Sequence, residues 1–400
     1  MKVMNNLRRT SLLSALILAF GGVHAASAAE IELFGFLDQG ISYIHEELNE
    51  GMSTPVGQSK ANMVDANGYV AENATRSTVE QGTGNPNNWG IRGTEKINDD
   101  LTIAFMLHSA FLPDDGTIYG KNSPLFEREA SLALRSKTMG ELRFGRMPAI
   151  TSGSGATGIF NSKVNPFGGG WGNLSGGWKF TGTLAQARWN NMVNYISPTV
   201  NGVKFHLQHS FGDNADGTEG TSKTDRFTAA GITWTGPKFY VALGADWLKK
   251  GSKTTNMSRD QYKVLLGGHY KFDDFKLYGT TEYMKNVRYI GAFSTKELAP
   301  LACGQTSGSK GFEGWAFNTG ADVPLPVGLL KTSIGVGFGE NQNLSEQNKY
   351  VRFTVGAGYL YPLSKRTQLY GLTGYFQQDA DWQRRDISAH ELILGVIHTF

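Results

Sequence analysis

Val351-Arg-Phe-Thr-Val-Gly-Ala-Gly-Tyr359 reads as two interleaved rows. Val351, Phe353, Val355, Ala357 and Tyr359 form one row, and Arg352, Thr354, Gly356 and Gly358 form the other. A period of two is the repeat of a β-strand, and an all-apolar row gives that strand one face suited to a nonpolar medium. The same rhythm sets Phe239, Val241, Leu243, Ala245 and Trp247 against Lys238, Tyr240, Ala242, Gly244 and Asp246. It returns with Leu330, Ile334, Val336 and Phe338 against Lys331, Ser333, Gly335 and Gly337, and with Val203, Phe205 and Leu207 against Lys204, His206 and Gln208. No comparable stretch keeps helical spacing over three turns, so the chain reads as all-β.

The connectors between these stretches alternate in length. Short ones fall at 96–100, 137–140, 198–202, 236–237, 273–274, 324–328 and 362–366, and longer ones at 45–86, 147–187, 249–258 and 286–312. An antiparallel meander with short turns at one end and long loops at the other is the layout of a transmembrane β-barrel of the outer-membrane kind. Sixteen strands are predicted, starting near residues 31, 87, 101, 125, 141, 188, 203, 226, 238, 260, 275, 313, 329, 349, 367 and 389. Rings gather near strand ends, with Tyr270, Phe272, Phe275 and Tyr278 around one turn and Tyr359, Tyr361 and Tyr370 around another. Amphipathic rings at that height form an aromatic girdle at the membrane surface. The last strand puts Leu392, Leu394, Val396, His398 and Phe400 on one parity, which suits closure by pairing of the first and last strands.

Composition agrees with this fold and excludes others. Among 400 residues there are 51 Gly against 12 Pro, and only 18 % are charged, while mean hydropathy is −0.30. After residue 30 no charge-poor run approaches the roughly 20 apolar residues of a membrane-spanning helix. A soluble sandwich would also alternate, but its polar row would carry many charges, whereas Gly, Ser and Thr dominate here.

Lys2, Arg8 and Arg9, then the apolar 12–20, then Ala26-Ser27-Ala28 have the three-part layout of a secretory signal peptide, with processing expected after residue 28. An uncleaved anchor is the alternative. Losing three basic residues takes 38 Lys and Arg to 35, equal to the 35 Asp and Glu, so residues 29–400 are formally neutral. That balance argues against nucleic acid as a partner. Cys303 stands alone in a Gly- and Ser-containing stretch and reads as incidental. The eight His are scattered, and His206 and His209, three apart on a strand, fall on opposite faces. No nucleophile motif accompanies them, so no enzyme, metal site or cofactor is expected.

Several segments together resemble the general diffusion porins of the Gram-negative outer membrane, most closely the neisserial and β-proteobacterial type. They are Ile31-Glu-Leu-Phe-Gly-Phe-Leu-Asp-Gln-Gly-Ile41, Trp89-Gly-Ile-Arg-Gly-Thr-Glu95 with Leu101-Thr-Ile-Ala-Phe105, Phe126-Glu-Arg-Glu-Ala130, Glu141-Leu-Arg-Phe-Gly-Arg146, Arg188-Trp-Asn-Asn-Met-Val-Asn-Tyr-Ile-Ser-Pro198 and Gly395-Val-Ile-His-Thr-Phe400. Residues 212–390 match in pattern only. The resemblance implies a barrel of sixteen strands, a homotrimer embedded in outer-membrane lipid, and an aqueous pore for small hydrophilic solutes narrowed by the third long loop. It also implies that Phe400, with His398 beside it, is the signal read by the barrel-assembly machinery.

The loop expected to fold inward as the constriction is 147–187, which holds ten Gly in 41 residues and carries Lys163 and Lys179 but no Asp or Glu. Of the family's basic cluster, the resemblance carries over Arg128 and Arg188. Asn88 stands where relatives commonly have a third Arg, and His108 where they have Glu. Arg92, Arg143 and Arg146 are further candidates for the pore wall. Alternation alone would put Arg128 on the outer parity with Ala130, Leu132 and Leu134; only the resemblance points it to the lumen. A basic rim predicts passive diffusion with weak anion selectivity, opposed by Asp38, Asp246 and Glu282 if these line the aperture. The alternatives are a substrate-specific channel for phosphate or carboxylate metabolites and a surface adhesin or receptor built on the long loops.

Overall fold

A computed structural model describes residues 30–50, 74–82, 87–113, 115–118, 123–152, 155, 157–168, 188–212, 221–251, 259–290, 301–303, 309–382 and 385–400. The signal peptide, Lys179 and residues 169–187 lie outside the described residues.

The strands are β1 Glu30–Glu50, β2 Ala74–Gly82, β3 Asn88–Lys96, β4 Leu101–Ala110, β5 Glu129–Ser136, β6 Gly140–Pro148, β7 Arg188–Ile196, β8 Val203–Ser210, β9 Arg226–Thr235 and β10 Phe239–Lys249. They continue with β11 Gln261–Lys271, β12 Lys276–Val287, β13 Tyr289–Ile290, β14 Leu301–Ala302, β15 Phe312–Pro324, β16 Leu329–Asn341, β17 Lys349–Pro362, β18 Thr367–Ala380 and β19 Arg385–Thr399. Each barrel strand pairs antiparallel with its neighbour in the chain, and β1 closes the ring on β19 from Phe36 opposite Thr399 to Glu50 opposite Arg385. β3 pairs with the first part of β1 and β2 with the rest, so the two share one position; β13 and β14 form a separate ribbon. Sixteen positions result, as the alternation predicts. Some boundaries differ from expectation: within the expected connector 45–86, β1 continues to Glu50 and 74–82 is strand, the strand expected near 125 begins at Glu129, and the one expected near 389 begins at Arg385.

The two rows of β17 take opposite sides of the wall. Val351, Phe353, Val355 and Tyr359 are exposed, whereas Arg352 and Thr354 are completely buried. β10 behaves alike, with Val241, Leu243 and Trp247 outside and Ala242 and Asp246 inside. Apolar outside and polar inside is the inverse of a soluble sheet and fits a wall whose outer solvent is hydrocarbon. Most of the expected girdle rings are exposed, including Tyr270, Phe272, Tyr359 and Tyr361. Tyr278 and Tyr370 are corrections. Both carry inward parity, and their hydroxyls donate to Asp322 (2.6 Å) and Asp38 (2.5 Å), acceptors that only the inner face supplies.

Cys303 is buried beside Met284, Val287, Ile290, Phe312 and Tyr350, packing the β13–β14 ribbon onto the barrel. Burial also pushes its thiol pKa up, which keeps it in the unreactive protonated form.

Candidate functional site

Leaving β6, the chain turns into the barrel and runs along its inner wall. The Ile150 amide donates to Gln208 Oε1 (2.8 Å), and the Gln208 side chain donates back to the Pro148 carbonyl (2.9 Å). Farther along, Tyr240 OH donates to the Ile159 carbonyl (2.5 Å), Thr280 Oγ1 to that of Val164 (2.9 Å) and Lys331 Nζ to that of Pro166 (2.8 Å). Phe167 then packs on Leu360, Tyr370, Leu372, Ile393 and Ile397. The described part of the loop therefore crosses from β8 to β19, satisfying buried carbonyls that would otherwise cost free energy.

The glycines of the inner row explain how the loop fits. A Cβ at Gly231 would lie 2.7 Å from Ile159, at Gly244 2.9 Å from Phe160, and at Gly267 3.1 Å from Val164. At Gly320 it would lie 2.8 Å from Pro166, and at Gly358 3.0 Å from Phe167. Five glycines on successive parts of the wall thus form a shallow track that seats the loop's apolar side chains. A carboxylate latch adds to these contacts: Thr151 Oγ1 donates to Asp246 (2.5 Å), whose carboxylate also faces Lys263 (3.3 Å), and Lys263 reaches Glu282 (4.0 Å).

Arginines gather at the two roots of this loop. Arg128 Nε lies 3.6 Å from Glu127, Arg146 Nε donates to the Glu127 carbonyl (2.7 Å), and Arg146 Nη1 donates to Asn190 (2.5 Å). Arg188 interacts with Arg128, Arg146, Glu127 and Glu129 through their charges. Arg128 precedes β5, so strand parity does not govern its direction, and it acts with Arg188 on the inward-parity His108. Arg146 occupies a register shift between Gly145 and Met147, where Gly145 takes φ +121° and a Cβ would meet the Ala130 carbonyl at 2.2 Å. Such a bulge redirects the side chain next to it. Asn88 and His108 meet one another at 3.1 Å.

The remaining candidates are placed otherwise. Arg143 is buried and shared between Glu129 (2.9 Å) and Glu141 (2.8 Å), so its charge is compensated where it stands. Arg92 faces Glu32 through two contacts of 2.8 Å, which spend its field locally. Asp38 is completely buried against Tyr370 and Asn87, and Asp246 and Glu282 share Lys263. Lys163 is exposed on the loop, 5.3 Å over the Tyr240 ring, near Lys204. Sequence reasoning missed Glu127 and Glu129 as partners, although they flank Arg128 in the chain, and it missed Lys204 as the companion of Lys163.

A closed barrel with an apolar exterior, a charged interior and a loop laid along its inner wall defines an outer-membrane channel. The family description "Gram-negative porin" matches residues 13–381, and the chain belongs to that family. It is 28 % identical to an outer membrane porin protein of Bordetella pertussis, covering 98 % of this chain and 100 % of that protein. Outer membrane porin protein 32 of Delftia acidovorans is 25 % identical over 91 % of this chain and 88 % of its own length. An anion-selective porin from Comamonas acidovorans superposes with a TM-score of 0.62 at 20 % identity, covering 93 % of this chain and 100 % of that one. The protein is a diffusion channel of the bacterial outer membrane and not an enzyme.

Proposed function

We propose that the channel passes small hydrophilic solutes and ions passively, with weak preference for anions, through an aperture bounded by loop 147–187, Arg128, Arg146 and Arg188. The observation that carries this reading is the gathering of those three arginines around Glu127 and Glu129, the latter already bound by Arg143, so that the carboxylates offset only part of the positive charge. Lys163 beside Lys204 adds positive charge on the loop. At physiological ionic strength fixed charges act over about 8 Å, so groups at the narrowest section dominate selectivity. The sign is that of the Comamonas porin. Conductance rising in proportion to KCl concentration supports free diffusion; saturation would favour the substrate-specific anion channel.

Processing after residue 28, a homotrimeric state and recognition of Phe400 by the assembly machinery belong to the same reading. Phe400 exchanges backbone hydrogen bonds with Gly35 (3.0 and 3.3 Å), so it sits at the barrel seam.

Selectivity should vary with pH in a fixed direction. Burial raises the Glu127 carboxyl pKa, outweighing the lowering by Arg128 and Arg188. As pH falls, Glu127 therefore takes a proton before ordinary carboxylates do, the arginines lose their offset, and chloride preference grows. Partial desolvation of its ammonium, which lies over the Tyr240 ring, and then the charge of Lys204 lower the Lys163 pKa, so chloride preference declines at alkaline pH before ordinary lysines titrate. Reversal potentials recorded from pH 5 to 10 read both trends, and Glu127→Gln should remove the acidic one.

A further inference from the structure

On the outer wall, at the long-loop end of β8 to β11, an apolar groove of about 590 Å³ runs between Leu207, Ala230, Ala245 and Val264, with Tyr195 and Tyr262 at its sides. Alanine at two of these positions leaves a furrow between the bulkier side chains of the wall. Above it Arg226 stands opposite Lys249 in the β9–β10 register, and both carry the outward parity of Thr228, Val241 and Leu243. Like charges facing each other across a strand pair are destabilising.

The neighbouring acids do not relieve the pair. Asp225 holds Lys250, and Asp260 accepts from Trp247 Nε1 (2.8 Å) and the Lys250 amide (2.9 Å). Arg226 and Lys249 have no acidic partner among the described residues; Lys249 lies 5.7 Å over the Trp247 ring, itself stacked on Tyr262. Lys223 and Arg259 add positive charge at the same rim. A cationic pair at the membrane surface, directly above an apolar furrow, is complementary to a molecule with an anionic head and a hydrocarbon tail.

We propose that this face binds a lipid of the outer leaflet whose phosphate-bearing headgroup is net anionic, its phosphate on Arg226 and Lys249 and one acyl chain in the groove beside Ala230 and Ala245. The site lies outside the pore and does not depend on the reading of ion selectivity.

Native mass spectrometry of the folded protein, loaded with dioleoyl phosphatidylglycerol or with phosphatidylcholine of the same tails, tests it. Two basic residues at a lipid surface predict roughly tenfold or greater retention of the anionic lipid. Arg226→Gln with Lys249→Gln should abolish that preference, and Ala245→Phe, which fills the furrow and spares the charges, should weaken retention of phosphatidylglycerol. Single-channel conductance, expected to be unchanged, verifies the fold of each variant. Equal retention of the two lipids, or a preference that survives the double substitution, overturns the proposal. So does full displacement of phosphatidylglycerol by inorganic phosphate, which would leave the acyl chain no role. A smaller oligomer for Ala245→Phe with lipid retention intact would assign the furrow to a second copy of the chain instead.

Discussion

Replacing Arg128 and Arg188 together by glutamate is expected to turn the channel from chloride to potassium preference. Each substitution moves the local charge by two units, so the cluster changes from three arginines facing Glu127 and the Arg143-bound Glu129 to one arginine facing those two carboxylates and two new ones. These groups lie at the roots of the loop, within about the 8 Å over which unscreened charge acts. Bi-ionic reversal potentials read the change directly. Arg92→Gln and Arg143→Gln serve as controls: their guanidiniums face Glu32 and Glu129 with Glu141, so neither is expected to move the potential as far. A double glutamate variant that still favours chloride would remove this cluster from the aperture.

Filling the glycine track should open the pore. In Gly244→Leu combined with Gly267→Leu the new side chains would occupy the space of Phe160 and Val164. Overpacking of that kind costs about 1–3 kcal/mol per site. The barrel ladder is not altered, so the cost falls on the loop, which can leave the wall. The expected result is higher and noisier single-channel conductance from a barrel of unchanged strand content by circular dichroism. Unchanged conductance would mean that the described loop does not limit the pore.

The barrel itself was legible because each strand faces two different solvents. Val351 to Tyr359 show the sorting at its plainest, and the strand starts at 101, 188, 203, 226, 329, 349 and 367 agree with the observed elements. β2 was hidden since Ala74-Thr-Arg-Ser-Thr-Val-Glu-Gln-Gly82 has no apolar row from which a period could be read. Tyr278 and Tyr370 misled because a phenol suits either face until its acceptor is known.

The candidate site was legible in part. Residue type marked the arginines, but alternation cannot say which carboxylate meets which guanidinium across strands. Arg143 therefore looked available while Glu129 and Glu141 hold it, and Arg128 looked lipid-facing because the start of β5 lies one residue after it. The excess of glycine on the inner row was visible as composition. Its reason, a seat for loop side chains, needed the three-dimensional path of residues 150–167.

The most direct test of the basic aperture is the zero-current potential of the unmodified protein in a planar bilayer of neutral lipid, bathed at neutral pH by a KCl gradient. A potential displaced toward the chloride equilibrium value, with stable conductance steps, is the predicted result. Displacement toward the potassium value would contradict the proposed charge at the aperture while leaving the channel intact.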